Sequence, residues 1–203
     1  MKKAFGALSL VGCLIFTVPC EAKMLLSSIS GVINVPSAHV RNIGEFSVMA
    51  QQTEVGNVLG VNATVLPSLE LSYSRFNPKH ENNFNMLSAK YQLIAESVLT
   101  PAVAVGIEDI GDKLDRAGYV AATKEGPWGF RGHVGIGTGR FQNGFIAMEK
   151  QFKVNSDVLN LSLALEYDGH HFNYGAALPV GKLVQAEIGM RSNDFYAGIN
   201  CTF

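Results

Sequence analysis

The titratable residues that could carry chemistry in this chain are Glu70, Glu108, Glu149, Glu166, Asp168 and Glu187, interleaved with Lys90, Arg131, His133 and Arg191. Two carboxylates flanking a glycosidic bond can divide the acid and base roles of glycan hydrolysis. These carboxylates fall on separate segments with cations between them, the pattern of groups that pair across a shared interior. "GHVGIGTGR" suggests a nucleotide loop, but after Gly135 and Gly137 the third glycine position is Arg140, and no helical pattern follows. Glycines that relieve crowding in a curved strand wall fit better. His170-His171 offers two imidazoles without a third metal ligand at suitable spacing. A lipid hydrolase needs Ser or Thr beside a His base and an orienting group. Ser192 has no histidine near it in sequence, and His133 is expected deep in a wall. No catalytic, cofactor or metal site is therefore expected, and the charged residues are expected to line an interior.

The elements that would position them are strands. In "LNLSLALEYDGHHFNYGAALPV", Leu159, Leu161, Leu163, Leu165 and Tyr167 alternate with Asn160, Ser162, Ala164 and Glu166 before an Asp168-Gly169 turn. Phe172, Tyr174, Ala176, Leu178 and Val180 resume the alternation beyond it. Successive side chains of a strand point to opposite faces, so this is a hairpin with one apolar face. The same pattern recurs from Phe46 to Phe203, less clearly over 117–124, and predicts about 12 strands with short connections.

A soluble barrel turns its apolar face inward and covers its outside with Lys and Glu. Here charged residues make up 16% of the chain, against roughly 25% in soluble domains. The polar faces are Asn, Ser, Gly, Ala and Gln with sparse charges. An apolar face almost free of charge suits lipid, and segments of about ten residues suit a tilted crossing. The expected fold is an all-β, antiparallel up-and-down transmembrane barrel over 44–203 with a polar, watery lumen.

Export is read from the start of the chain. Lys2 and Lys3 precede an apolar run from Ala7 to Val18, and Cys20-Glu21-Ala22 offers small residues for cleavage before Lys23. Residues 1–22 are expected to be a signal peptide and 23–43 a periplasmic or lumenal segment. Cleavage would remove Cys13 and Cys20, leaving Cys201 alone, so no internal disulfide or paired-cysteine metal site is expected. A net charge of −1 and the lack of any basic run argue against nucleic acid as a partner. At the other end, Phe195, Ala197, Ile199, Cys201 and Phe203 alternate to a terminal aromatic residue, the form of an outer-membrane assembly signal. Connections 77–85, 110–118 and 137–144, all odd-numbered, are longer than the even ones at 67–68 and 179–182. That asymmetry suits termini in the periplasm.

The ordered segments "SGVINVPSAHVRNIGEFSV", "LSAKYQL", "PAVAVGIEDIGD", "YVAATK", "GHVGIGTGRFQNGF" and "LALEYDGHHFNYG" resemble the YjbH-like outer-membrane barrel family associated with bacterial exopolysaccharide production. The resemblance covers about residues 29 to 203. It implies an outer-membrane barrel, with a pore or accessory role in exopolysaccharide export and no cofactor. The implied partners are outer-membrane lipid, the barrel assembly machinery and polysaccharide-export proteins. A structural scaffold, or a small lipid- or glycan-modifying enzyme, is the alternative.

Overall fold

A computed structural model describes residues 23–154 and 159–203. The expected signal peptide, with Cys13 and Cys20, lies outside the described residues. Twelve antiparallel strands close into one barrel: β1 (Phe46–Thr53), β2 (Gly56–Leu66), β3 (Leu69–Pro78), β4 (Phe84–Ile94), β5 (Ala102–Glu108) and β6 (Ala117–Glu125) form one half. The other half is β7 (Phe130–Gly137), β8 (Phe145–Val154), β9 (Leu159–Tyr167), β10 (Phe172–Val180), β11 (Val184–Arg191) and β12 (Asp194–Thr202). Each strand pairs with its sequence neighbours, and β1 closes against β12 in a register that sets Ser47 opposite Thr202. Closure leaves no unpaired strand edge, which a hydrocarbon surround requires.

Alternation decides which side chains face out. Leu59, Tyr73, Leu87, Val134, Met148, Leu165, Tyr174 and Ile188 are each about half exposed, and the belt they form continues across β5 through the partly exposed Val103, Val105 and Ile107. An apolar surface running round the whole molecule far exceeds the patches of a few hundred Å² that soluble monomers expose. The molecule is a membrane-embedded barrel. Connections after odd-numbered strands gather at one end, here the odd end; those after even-numbered strands gather with Phe203 at the other, the even end.

Three expectations need correction. The connection expected over 77–85 shrinks, because β3 runs to Pro78 and β4 starts at Phe84. The connection expected over 137–144 is not an outward loop throughout: a short 3-10 turn at Gly139–Phe141 folds the fully buried Phe141 inward, edge-on to Tyr119 at 5.3 Å. Most consequentially, the interior is not watery. Residues 23–41 lie inside the barrel, and all of 23–38 except Leu26, Gly31 and Asn34 are buried.

Candidate functional site: a lumen occupied by the chain's own N-terminal segment

The inserted segment is built from two tight turns. Ser28, at a positive φ of 62°, lets its N–H reach the Leu25 carbonyl (2.8 Å), while Leu25 N–H donates to Ile29 (2.9 Å). Val32 N–H then reaches Val35 (2.9 Å) over a second turn ending at Pro36. Gly31 joins them, where any Cβ would stand 2.5 Å from both Leu25 Cδ2 and the Val35 carbonyl. Such short turns leave most backbone groups without partners in the segment itself, and buried backbone must find them elsewhere. The lumen wall supplies them.

Glu70 and Lys90, cross-strand neighbours on β3 and β4, grip one residue from both sides. Ser30 donates its N–H to Glu70 Oε1 (2.6 Å) and its hydroxyl to Oε2 (2.7 Å), while Lys90 Nζ donates to the Ser30 carbonyl (3.0 Å) and also contacts its hydroxyl. Both wall side chains are completely buried, with Nζ 3.4 Å from the carboxylate. Towards the odd end, Glu166 accepts the N–H groups of Ile33 (3.0 Å) and Asn34 (2.7 Å), and Asp168 accepts the Asn34 side-chain amide (2.7 Å). Returning towards the even end, Ala38 N–H donates to Thr123 Oγ1 (2.8 Å), and Gln92 donates to the Ala38 carbonyl (3.0 Å). Asn62 and Ser72 cap the carbonyls of Ser28 and Ser27 (2.8 and 2.7 Å).

The remaining expected lumen residues fall into place around this framework. Glu108 accepts the Ser27 hydroxyl (3.0 Å) and both Nε and Nη2 of Arg140 (2.9 and 2.6 Å). Glu149 lies 3.3 Å from Lys23 Nζ, which also donates to Ser162 (2.8 Å). Glu187 accepts Gln51 Nε2, and Gln51 Oε1 accepts both terminal nitrogens of Arg191 (3.3 Å each). Arg131 differs: it is only half-buried and lies 4.0 Å from the exposed Glu125 at the even end. The charges thus do not pair across an open interior, as sequence reasoning expects, because the segment stands between them and takes up their hydrogen-bonding capacity.

Apolar packing completes the fit. Val32, Ile33, Val35 and Ala38 are buried against Ala104, Ala121, Phe141 and Tyr196 of the wall. This explains the weak alternation over 117–124: Ala117, Tyr119 and Ala121 face the segment while Val120 faces out, so both faces are apolar. Met49 and Val58 likewise point inward, against Met24.

Two charged groups outside the strands have their protonation shaped by these contacts. Burial pushes the Glu96 carboxyl up, but bonds from Lys124 Nζ (2.9 Å) and the Glu125 N–H (2.7 Å), with His39 beside it at 3.1 Å, outweigh that and hold it below the usual value. Burial also pushes Asp168 up, and donors from Asn173, His171, Asn34 and His170 bring it below the usual value. Those His170 and His171 bonds are backbone ones; both rings are exposed, and no metal-holding group of His, Cys, Asp and Glu occurs among the described residues.

The structure does align Thr123, His133 and Glu149, with Oγ1 2.9 Å from Nδ1 and Nε2 3.8 Å from the carboxylate. Hydroxyl, imidazole and carboxylate in a row can activate a nucleophile. Here Thr123 Oγ1 already accepts the Ala38 N–H, and His133 is buried beneath the segment. The row anchors the segment to the wall.

The family model described as "Exopolysaccharide biosynthesis protein YbjH" (YjbH) matches residues 27–163, a stretch that includes nearly all of the inserted segment. The chain belongs to this family. Two solved structures share the fold of this YjbH chain. One, "KdgM porin", has a TM-score of 0.54 at 11% identity, covering 78% of this chain and 98% of that one. The other, "KdgM porin in complex with disordered oligogalacturonate", has a TM-score of 0.55 at the same identity and coverage. The search of curated proteins gave no match. The chain thus shares its barrel fold with these two structures.

Proposed function

We propose that the protein is an outer-membrane pore or pore-forming accessory of exopolysaccharide export whose lumen is held shut by its own residues 23–41. The observation that carries this reading is the mode of docking. The segment is held by polar side chains of the wall, Glu70, Lys90, Thr123 and Glu166, in addition to its apolar contacts. Polar contacts to a wall can be exchanged for water, so withdrawal of the segment would leave a hydrated lumen lined by the same groups. An inert apolar core would not be left in that condition. Family membership supports the polysaccharide role, and the KdgM porin fold supports the pore.

Outer-membrane residence is supported by the lipid-facing belt and by the expected signal peptide. Phe195, Ile199 and Phe203 are each about half exposed on the outer face, with Ala197 and Cys201 half-buried on the same side, the arrangement an assembly signal read by the barrel machinery would have. No reaction is assigned to the protein. Liposome swelling tests the pore directly. Vesicles carrying the full chain should exclude small sugars, and vesicles carrying a variant lacking residues 24–40 should admit them. If the shortened barrel folds, judged by heat-modifiable migration, and still excludes sugars, the scaffold reading replaces this one.

A further inference from the structure

The lipid-facing belt carries charge at few points. At the outward positions of the strands, the charged side chains among the described residues are Arg75, Lys124 and Lys150. Arg75 lies on β3 towards the odd end, while both lysines lie towards the even end, on β6 and β8. Only β7 separates their strands, which are therefore about 10 Å apart. Between them the outer face has a gap. Gly132 of β7 pairs with Lys124 on one side and Met148 on the other, and a Cβ there would meet nothing within 4 Å. Val134 and Ile136 continue the file towards the odd end, each more than half exposed.

The even-end margin of the gap has the composition of a headgroup boundary. Lys150 pairs with Phe130, and its Nζ lies 4.0 Å from the Phe130 ring centroid while donating to the Trp128 carbonyl. Among the described residues its bonded partner is that carbonyl, not a carboxylate. An ammonium has three N–H donors, so donors remain for an external anion. Trp128 holds a positive φ of 58°, unusual for a bulky side chain, and is 83% exposed. Lys124 Nζ donates to Glu96 (2.9 Å) and the Ser97 carbonyl (2.7 Å), fixing the connection after β4, whose Val98 and Leu99 are 91% and 89% exposed. Aromatic residues with snorkelling lysines mark the level where headgroups meet acyl chains.

We propose that the outer face around Gly132 seats the headgroup of one anionic phospholipid. Its phosphate accepts from the Lys150 ammonium, Lys124 stands on the opposite flank, and an acyl chain lies over Val134 and Ile136. The seat is continuous with the lipid-facing belt, its margin is cationic, and no side chain fills it. A protein partner would have to displace lipid from Val134 and Met148, which lie in the belt itself. Glu96 offsets the charge of Lys124, which leaves Lys150 as the dominant cation. The proposal does not depend on whether the barrel conducts.

Trp128 is the single tryptophan of the chain, so its fluorescence reports this face alone. The full chain is reconstituted in mixtures of phosphatidylglycerol and phosphatidylcholine, one or the other brominated near the headgroup end of its acyl chains. Quenching gives the relative binding constant of the two lipids beside Trp128. Phosphatidylglycerol should be preferred about fivefold, the contribution of one basic side chain at an anionic surface. Lys150→Gln should bring the ratio to about one, and Lys124→Gln should lower it less. Gly132→Leu fills the gap with lipid-compatible atoms and should also abolish the preference; it decides the matter if Lys150→Gln fails to fold by heat-modifiable migration. Arg75→Gln should change nothing. Inorganic phosphate in excess over lipid should leave the quenching unaltered; if it removes the preference, the seat takes a free anion and the lipid assignment falls. A ratio of about one in the parent overturns the proposal, as does a ratio that the folded Lys150 or Gly132 variant leaves unchanged. Absence of quenching by both brominated lipids would put Trp128 outside the membrane, which overturns it in favour of a protein partner.

Discussion

Replacing Glu70 and Lys90 together, by Leu and Met, should release the inserted segment without unfolding the barrel. Removing one partner alone would strand a buried charge, at about 3–5 kcal/mol, and would confound wall and segment. Replacing a buried pair with apolar groups of similar volume is often neutral for the surrounding structure. The loss then falls on Ser30 and, within the wall, on Asn62, whose amide gives up its bond to Glu70 (2.6 Å) and keeps the one to the Ser28 carbonyl. The Ser30 N–H loses its Glu70 acceptor, while its hydroxyl keeps the His39 carbonyl at 3.2 Å and its carbonyl keeps the long bond from the Ser37 N–H at 3.4 Å, which survives replacement of the Ser37 side chain. One orphaned N–H costs about 1–3 kcal/mol, and two charge-assisted bonds are downgraded besides. Together these amount to about 3 kcal/mol, or about a hundredfold in the docked-to-undocked ratio. Thiol labelling of Ser37→Cys, in a Cys201→Ser background, reads that ratio directly. Labelling should accelerate about a hundredfold while heat-modifiable migration of the barrel is unchanged. A labelling rate within about threefold of the parent would refute the claim that this pair holds the segment.

Three further outcomes are expected. Gly60→Ala would place a Cβ 1.7 Å from the Ser28 hydroxyl, so labelling should rise, and Ser28→Gly should restore protection because Ser28 already occupies the left-handed region (φ 62°). Phe203 stacks on Phe46 with ring centroids 5.0 Å apart. Phe203→Asp therefore forfeits about 0.5–1.5 kcal/mol of ring contact and adds about 0–1 kcal/mol for an interfacial charge. A far larger loss of membrane-inserted protein in cells would mark failed recognition by the assembly machinery; Thr202→Asp, beside the Ser47 hydroxyl, should insert better, and equal insertion would reject the terminal-signal reading. Glu96 and Asp168 are both held below their ordinary values of 4.5 and 3.8. A carboxylate depressed in the folded state contributes fully above its unfolded value and loses that contribution as pH falls through the folded one. Labelling of Ser37→Cys, with reactivity corrected on a free thiol, should therefore rise only once the pH drops below about 4.

Much of the barrel was legible because lipid and wall impose a period of two. Leu163 and Leu165 face out and Ser162 and Glu166 face in, as their alternation requires. The inward placement of Glu70, Lys90 and Glu166 followed from the same rule. What they hold did not. Residues 23–44 contain just two charged side chains, Lys23 and Arg41, and no strand or helix period. A stretch that apolar must be covered, and that was the available signal for a plug. Its partners were hidden because Ser30 meets Glu70 and Asn34 meets Glu166 across 40 and 132 positions, through backbone N–H groups that carry no residue-specific signature. Met49, Val58 and Phe141 are inward apolar residues. They break the expected polar face where the segment presents Met24 or Val32 to them, and that complementarity exists only in the folded lumen.

Single-channel recording in planar bilayers tests the central claim most directly, comparing the full chain with a variant lacking residues 24–40. The full chain should rest closed with rare brief openings, and the shortened barrel should conduct continuously. A full chain that is already open, or a folded shortened barrel that never conducts, would contradict the account.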